Sequence, residues 1–241
     1  MLAHVFGPEA SWPSQDLVGF TEQIDAGLTM AAYASGLFPM PLHESDFHGM
    51  GWWSPMQRGI IPLPSLRVSH SLRQALRRYR TTIDTSFDEV LAGCADPTRP
   101  GSWIDDDVKA IYTGLFERGV VHSVETWDDD NRLVGGLYGV GLRGLFAGES
   151  MFHDREHGRD ASKVALVRLV DTLSARPDGK ALLDTQWLTP HLASLGGVEI
   201  PRHRYLELLD DALDAPETAW PAPGVFTRGR ALPPALGGSH A

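Results

Sequence analysis

Two polar side chains interrupt a short apolar segment, LLDTQWL, at residues 182–188. The segment follows a turn at residues 177–179 and is rich in apolar residues, which is typical of a buried β-strand. Because side chains alternate between the two faces of a strand, Asp184 and Gln186 are predicted to point to the same side. Buried polar groups need hydrogen-bond partners. The pattern therefore predicts either a closed polar network or a site that waits for a substrate.

A third polar group, Glu149, lies near the end of another apolar segment, AGESMF. By itself this carboxylate is as compatible with a satisfied structural acid as with a functional one. The two segments are predicted strands of one sheet, so Glu149 joins Asp184 and Gln186 in the same hypothesis.

Two tryptophans, Trp52 and Trp53, stand together in WWSP. They could form the wall of a pocket or a platform on which a base stacks, and core packing in a small domain is an equal alternative.

The histidines His153 and His157 lie four residues apart in HDREHGRD, which is a metal-ligand spacing on a helix. Gly158 follows at once, so a solvated loop is the better interpretation and no metal site is predicted. The single cysteine, Cys94, excludes an internal disulfide and is interpreted as a buried thiol rather than a nucleophile.

The formal net charge of −10 argues against general coating of nucleic acid, because phosphate affinity comes mainly from Lys and Arg. Six arginines nevertheless fall in one stretch without any Asp or Glu, at positions 58, 67, 73, 77, 78 and 80. The segment SHSLRQALRRY predicts a helix capped by Ser69 or Ser71, with several of these arginines on one side. No apolar run is long enough to span a bilayer and no signal peptide is evident, so a cytoplasmic protein is expected.

The order of predicted elements indicates an α+β or mixed α/β fold. Three strand candidates, VVHSVETW, RLVGGLYGV and GLFAGESMF, predict an antiparallel meander. The segment ASKVALVRLVDTLSAR predicts a helix packed on that sheet, with Asp160 as a possible cap. A strand at LLDTQWL and a final helix in PRHRYLELLDDAL follow. We expect a small N-terminal domain at residues 1–66, a larger domain at 67–215 and a flexible tail at 216–241.

Many ordered motifs along the chain match one known family. They are GLFPM, WWSPMQRGIIPL, RVSHSLR, GSWI, HSVETW, LVGGLYGV, GESMF, ASKVAL, LLDTQ and HLASLGGVEIPR. With these motifs and their spacing, the chain resembles the leucyl/phenylalanyl-tRNA–protein transferase family over about residues 27–209.

The resemblance implies an enzyme that moves Leu or Phe, and less readily Met, from Leu-tRNA or Phe-tRNA to a protein. The acceptor would be the α-amino group of a protein with N-terminal Arg or Lys, which is thereby marked for degradation. The implied fold is a small N-terminal domain followed by a GNAT-like domain. No cofactor is implied, since the aminoacyl ester is already activated. We expect a monomer, because no segment resembles a dimerisation helix.

The resemblance also assigns roles to residues. It implies Asp184, Gln186 and Glu149 as catalytic groups, with Asp184 polarising Gln186; we expect Gln186 to position the amine rather than act as a base. Substrate-binding positions are implied at Trp52, Trp53, Leu137, Phe146 and Ser162. Positions that contact tRNA are implied at Arg67, Arg73, Arg77, Arg78 and Arg80.

Two alternatives remain open at this point. A GNAT-like enzyme that uses acyl-CoA would normally need a glycine/arginine turn for the pyrophosphate, and no convincing one is present. A tRNA-binding module without catalysis would explain the arginines but would leave Asp184 and Gln186 without a role.

Overall fold

A computed structural model describes residues 5–44, 47–99 and 103–228 of the chain. These residues contain seven α-helices and eleven β-strands. The helices are α1 Ala26–Ala34, α2 His70–Arg78, α3 Phe87–Cys94, α4 Asp106–Phe116, α5 Ala161–Ser174, α6 Pro190–Ser194 and α7 Arg202–Leu213. The strands are β1 Leu17–Thr21, β2 Phe38–Glu44, β3 Phe47–Trp53, β4 Gln57–Ile60, β5 Arg80–Ile83, β6 Val121–Trp127, β7 Leu133–Leu142, β8 Leu145–His153, β9 Leu182–Gln186, β10 Val198–Pro201 and β11 Thr227–Arg228.

Eight of the strands form one mixed sheet, in the order β10-β4-β9-β8-β7-β6-β5-β11. Only the pair of β8 and β9 is parallel within this sheet as described, and its other neighbours are antiparallel. The meander of β6, β7 and β8 confirms the sequence-based prediction. A separate three-stranded sheet, β1-β3-β2, belongs to the N-terminal part. The fold is therefore mixed α/β with a small N-terminal part, as expected.

Helix α5 covers one face of the large sheet and contacts β6, β7 and β8. Its residues Ala165, Leu169 and Leu173 are buried there, as their spacing predicted. Along β7, Leu137 packs in the cluster that includes α5, while its neighbour Tyr138 packs with α3 and α4 in a second cluster. The alternation of side chains on β7 thus divides the core into two layers.

Side-chain caps set where several helices begin. Ser69 caps α2 by accepting the backbone N–H of Leu72, and Asp105 caps α4 in the same way. Asp160, expected to cap α5, does not: its backbone is left-handed at φ 63, and its carboxylate accepts from Lys163 Nζ at 2.7 Å. The Asp160 carboxylate is thus bound by a side chain of the first turn of α5 and not by a helical N–H group.

The parallel pair at the centre of the sheet is short. Its register runs from Leu145 opposite Leu182 to Ala147 opposite Asp184, and β8 then continues to His153 paired with β7 only. On its other edge β9 pairs with β4, which continues to the end of β9, where Gln186 lies opposite Gly59. The two central strands therefore separate after three residue pairs, and side chains from both strands line the space between their ends.

Two segments differ from the domain expectations. Strand β4 falls within residues 1–66 but pairs with β9 and β10 of the large sheet. Residues 216–228, expected to be loosely ordered, include β11, which pairs with β5, and Trp220, which stacks on His122 with ring centroids 4.0 Å apart. Proline and glycine content gives no information on tertiary partners of this kind. Residues 229–241 of the expected tail lie outside the described residues.

Candidate active site

A cavity of about 280 Å³ opens where β8 and β9 part. Its wall is mainly apolar and includes Phe38, Leu137, Phe146, Met151, Leu166 and Leu183. The polar residues of this wall include the acid Glu149 of β8 and the amide Gln186 of β9. A concave apolar pocket with a few convergent polar groups is the usual form of a small-molecule site. We refer to it below as the central pocket.

The Glu149 carboxylate accepts two hydrogen bonds inside the central pocket. Tyr112 donates its hydroxyl to Oε2 at 2.9 Å, and Gln186 donates Nε2 to Oε1 at 3.1 Å. A second hydroxyl, that of Tyr33, lies 2.7 Å from the Tyr112 hydroxyl. Burial raises the pKa of Glu149 from 4.5 to about 7, although the two tyrosines oppose the shift by stabilising the charged form. An acid with such a pKa exchanges a proton readily near neutral pH.

The Asp184 carboxylate is fully buried and forms a two-pronged ion pair with Arg58. Arg58 donates Nε to Oδ1 at 2.8 Å and Nη2 to Oδ2 at 2.6 Å, while Tyr205 donates its hydroxyl to Oδ2 at 3.0 Å. Burial alone would lower the pKa of Arg58, but the charge and hydrogen bonds of Asp184, together with the nearby Tyr205 and Tyr33, outweigh burial and raise that pKa. Both oxygens of Asp184 are thus engaged, and the closed network predicted as one alternative is present at this residue.

Arg58 is surrounded on every side by protein. Its Nη1 donates to the Gly36 carbonyl at 3.0 Å, and its guanidinium lies 4.8 Å from the Phe38 ring centroid and 4.3 Å from that of Tyr205. The sequence grouped Arg58 with the exposed arginines that follow it, and the structure separates it from them. Composition shows a charge but not its burial.

Gln186 does not follow the alternation that predicted a shared face with Asp184. Its backbone is left-handed, with φ 59, and its N–H donates to Asp184 Oδ1 at 2.9 Å. This turn directs the Gln186 side chain to Glu149 in the central pocket, while Asp184 contacts Arg58. Gly59 on β4 allows the irregular pairing, since a Cβ there would lie 2.8 Å from the Leu188 nitrogen. The shared-face prediction is therefore corrected by a local change of backbone conformation.

The remaining predicted substrate positions divide into two groups. Leu137 and Phe146 line the central pocket. Trp52 is a core residue that donates its indole N–H to Thr21, and Trp53 packs edge-on against Trp187 at 5.5 Å. Neither indole belongs to the pocket lining, where Trp187 and Trp103 lie instead. Ser162 lines a neighbouring cleft at the start of α5.

Sequence reasoning missed three tyrosines of the site, Tyr33, Tyr112 and Tyr205. All three are fully buried. The Tyr112 hydroxyl donates to Glu149 and lies within hydrogen-bond distance of the Tyr33 hydroxyl, and the Tyr205 hydroxyl donates to Asp184. In sequence they are indistinguishable from core aromatics on helices α1, α4 and α7. Only their three-dimensional position near Glu149 and Asp184 reveals the polar role.

The predicted tRNA-contacting arginines lie on and around α2. Arg67, Arg73, Arg77 and Arg78 are exposed, and α2 buries its opposite side through Leu72, Ala75 and Leu76. Arg80 is half-buried and donates to the Asp128 carbonyl and to Asn131. The first four thus form an exposed cationic face, whereas Arg80 has an intramolecular structural role.

The other candidate groups have structural surroundings. Cys94 is buried, which raises the pKa of its thiol to about 11, as expected for an inert thiol. Among residues 5–44, 47–99 and 103–228, no group of three or more His, Cys, Asp or Glu side chains is placed to hold a metal ion. In the same part of the chain, no helix has the length and apolar character needed to cross a membrane.

Comparison with known proteins identifies the family. The model of the leucyl/phenylalanyl-tRNA protein transferase matches residues 60–210, and the model of the N-terminal domain of that transferase matches residues 22–56. The chain belongs to this family. Family membership makes it an aminoacyltransferase.

Relatives from the same family are similar in sequence to this chain over most of its length. The leucyl/phenylalanyl-tRNA–protein transferase of Afipia carboxidovorans is 50% identical over 80% of this chain and 84% of its own. Those of Ruegeria sp. and Paramagnetospirillum magneticum are 46% and 48% identical, over 86% and 82% of this chain and 97% and 92% of theirs. Among solved structures, L-PGS from Bacillus licheniformis is 11% identical with a TM-score of 0.35, over 73% of this chain and 57% of that one, a likeness too small to carry an argument.

The buried ion pair gives a prediction on stability. Arg58→Met should lower the free energy of unfolding by about 3–5 kcal/mol, because the Asp184 carboxylate then stays buried without a counter-charge. The matched control, Arg204→Met, breaks the exposed pair with Glu207 and should lose at most about 1 kcal/mol. Urea denaturation measures both. Equal losses would contradict the structural role of the Arg58 pair.

The raised pKa of Glu149 gives a second prediction. A carboxyl with a raised folded-state pKa favours folding while it is protonated, and this contribution is lost as the pH rises from about 4.5 through about 7. Glu149→Gln removes the titration, so its stability relative to the parent should rise by about 1–3 kcal/mol between pH 4.5 and pH 8. Urea denaturation at the two pH values provides the measurement. The exposed Glu117→Gln should show little change, and a flat difference for Glu149→Gln would disprove the assignment.

Proposed function

We propose that this transferase moves Leu or Phe, and less readily Met, from aminoacyl-tRNA to the α-amino group of proteins that begin with Arg or Lys. The new N-terminal residue would mark the acceptor for degradation. The observation that carries the proposal is the central pocket, where the apolar wall meets the hydrogen-bonded Glu149 and Gln186. Charged tRNA is a cytoplasmic molecule, so the proposal includes that location, and it includes a monomeric enzyme.

The central pocket suits an uncharged, branched or aromatic side chain. Its apolar wall offers Leu137, Phe146, Leu166 and Leu183, and its cavity of about 280 Å³ is close to the lower limit of ~300 Å³ for small-ligand pockets. Each methylene that a smaller donated side chain lacks would weaken binding by roughly 1–3 kcal/mol. The pocket therefore favours Leu and Phe over shorter side chains.

The reaction needs proton removal and alignment more than activation. The amine nitrogen attacks the ester carbonyl carbon, the amide C–N bond forms, and the ester bond to the ribose oxygen breaks. A free α-amino group has a pKa of ~7.7–8.0, so roughly a tenth is neutral near pH 7. Glu149 accepts the amine proton and passes it to the leaving ribose oxygen.

In this scheme Gln186 and Asp184 act differently. Gln186 donates to Glu149 and holds that carboxylate in one orientation toward the substrates. Asp184 acts through Gln186, because it binds the Gln186 backbone N–H and Arg58. Asp184 is thus a positioning residue. Ser162, near the start of α5, would also contact the substrate.

The fold proposal is a GNAT-like catalytic domain. In support, the parallel pair of β8 and β9 follows an antiparallel meander, and α5 connects the two strands across one face. We place the start of this domain before β4 rather than at residue 67, because β4 pairs within the large sheet. The segment up to residue 228 is included in it, since β11 pairs with β5.

The two proposed substrates carry opposite charges. The net charge of −10 favours approach of a cationic N-terminal Arg or Lys, while the exposed arginines of α2 attract phosphate. We propose contacts of tRNA with Arg67, Arg73, Arg77 and Arg78.

Transfer of labelled Phe from Phe-tRNA to an Arg-initiated peptide tests the proposed function. The parent should form labelled amide, and Gln186→Ala should lower kcat about 100-fold because Glu149 loses its orientation. Affinity for the charged tRNA should hardly change. The exposed Gln23→Ala serves as the control and should transfer normally. Absence of transfer from Phe-tRNA, or transfer only from an acyl-CoA, would refute the proposal.

The salt dependence of tRNA binding tests the cationic face. The double variant Arg73→Ala/Arg77→Ala should flatten the slope of log affinity against log salt by roughly 1–2, because fewer counterions are released. The control, Arg118→Ala/Arg204→Ala, removes two exposed arginines elsewhere and should leave the slope unchanged. Filter binding across a salt series gives both slopes. An unchanged slope in the α2 variant would exclude this face from the interface.

A further inference from the structure

A second cavity, which we call the cationic cleft, adjoins the central pocket and shares Met151 with it. It lies between the end of β8, the loop 154–160, the first turn of α5 and His191 of α6. Its charged lining residues are Arg99, Arg155, Glu156, Arg159, Asp160 and Lys163. Four cationic side chains thus face two acidic ones, in a protein that is acidic as a whole.

Two of these cations have no close counter-charge. Arg155 and Arg159 are exposed; they act at a distance on Asp96 and Asp160, but no described carboxylate lies within ion-pair distance of either guanidinium. Lys163, in contrast, is paired with Asp160 at 2.7 Å. Two guanidinium groups of the cleft therefore remain available to an anion.

Arg99 adds a cation that is fixed in place by carbonyl oxygens. It donates to the carbonyls of Gly93, Cys94 and Met151, the last at 2.5 Å, and no described carboxylate is within ion-pair distance. The positive potential also acts on His191, whose pKa is lowered by burial and then by the charges of Lys163 and His153. The charge of the cleft is thus only partly neutralised by the protein itself.

The loop that carries Arg155 and Arg159 has a defined shape. Asp154 accepts the backbone N–H groups of Glu156 and His157. Gly158 lies so close to β7 that a Cβ there would meet the Val134 carbonyl at 2.1 Å. Hydrogen bonds and close packing therefore set where the two arginines leave the backbone, which limits the entropy lost when they bind a ligand.

The cationic cleft also continues toward α2. A shallow depression formed by Ser71, Gln74 and Arg78 shares Arg159 and Asp160 with the cleft. Tyr79, at the end of α2, donates its hydroxyl to the His157 carbonyl of the loop at 2.7 Å. Central pocket, cleft and α2 surface thus form one continuous path.

We propose that the cationic cleft binds the backbone phosphates of the single-stranded 3′ end of the donor RNA, through Arg155 and Arg159 with Arg99 as a fixed third cation. This rests on the proposed function, in which the terminal adenosine carries its aminoacyl group into the central pocket. The nucleotides that precede this adenosine must then leave the pocket, and the cleft beside Met151 leads them to the α2 arginines. Guanidinium groups bind phosphate oxygens with paired hydrogen bonds. A cationic acceptor N-terminus would be repelled from the same cleft.

Donors of increasing length separate the cleft from α2. The three donors are Phe-adenosine, which has no phosphate, Phe-CCA trinucleotide, and full-length Phe-tRNA. Arg155→Ala/Arg159→Ala should lower kcat/KM about 100-fold or more for the trinucleotide and the tRNA, since two charged contacts to phosphate are lost. It should leave the rate with Phe-adenosine unchanged. Arg73→Ala/Arg77→Ala should affect only the full-length tRNA.

Matched variants control for charge and folding. Arg118→Ala/Arg204→Ala should alter none of the three rates, and Arg155→Lys/Arg159→Lys should recover part of the trinucleotide rate because the charge returns. Unchanged thermal unfolding of all variants shows that the loop retains its fold. Equal losses with Phe-adenosine would show disturbance of the central pocket, and losses confined to full-length tRNA would place the cleft on the duplex; either result overturns the proposal.

Direct binding keeps the proposal independent of catalysis. Uncharged CCA trinucleotide with a fluorescent 5′ label should bind the parent, and the loop variant should reduce the salt slope by about 1.4, since two single-strand phosphate contacts disappear. This result would support the cleft even if the transfer assay failed. Coenzyme A is the competing phosphate ligand: tighter binding of coenzyme A than of the trinucleotide, lost in the same variant, would assign the cleft to an acyl-CoA instead.

Discussion

The buried contact between Arg58 and Asp184 determines how the parts of this transferase meet. It joins β4 to β9, and through the Gly36 carbonyl and the Tyr205 hydroxyl it also holds the turn after α1 and helix α7. A guanidinium and a carboxylate removed from water are tolerated only if their hydrogen bonds are satisfied. The partners come from four separate segments of the chain. The buried charges are therefore stabilised only when all four segments pack together in the folded protein. The N-terminal part and the large sheet are thus coupled by electrostatics as well as by apolar packing.

The same contact shapes the central pocket without lining it. Asp184 binds the backbone N–H of Gln186, whose left-handed conformation directs its side chain to Glu149. The carboxyl group that fixes the backbone is therefore a different one from the carboxyl group in the pocket. Asp184 is paired with Arg58, whereas burial of Glu149 favours its neutral form and raises its pKa to about 7. Two carboxyl groups near one another acquire different properties from their surroundings, which is how acid and base roles are usually divided.

Local patterns along the sequence predicted the meander, helix α5, strand β9 and a serine cap for α2 at Ser69 or Ser71, because each depends on residues close together in the chain. The other features depend on distant partners. The burial and the ion pair of Arg58 were not predicted, since its carboxylate partner lies 126 residues away in the chain. The left-handed backbone at Gln186 interrupts the alternation of side chains that the sequence of this strand predicted. The sequence showed that two predicted strands carry the polar residues Glu149, Asp184 and Gln186. It did not show the hydrogen-bond partners of these residues.

An acidic protein can hold an RNA strand because electrostatic attraction is local in salt solution. The Debye length is about 8 Å at physiological ionic strength, so charges farther apart across the surface act almost independently. The exposed arginines of α2 and of the loop 154–160 are close in space, as the contact of Tyr79 with His157 shows, and their fields add. Acidic side chains that lie farther away than this contribute little to the potential at these arginines. The negative net charge of the whole protein is therefore compatible with a local attraction for phosphate.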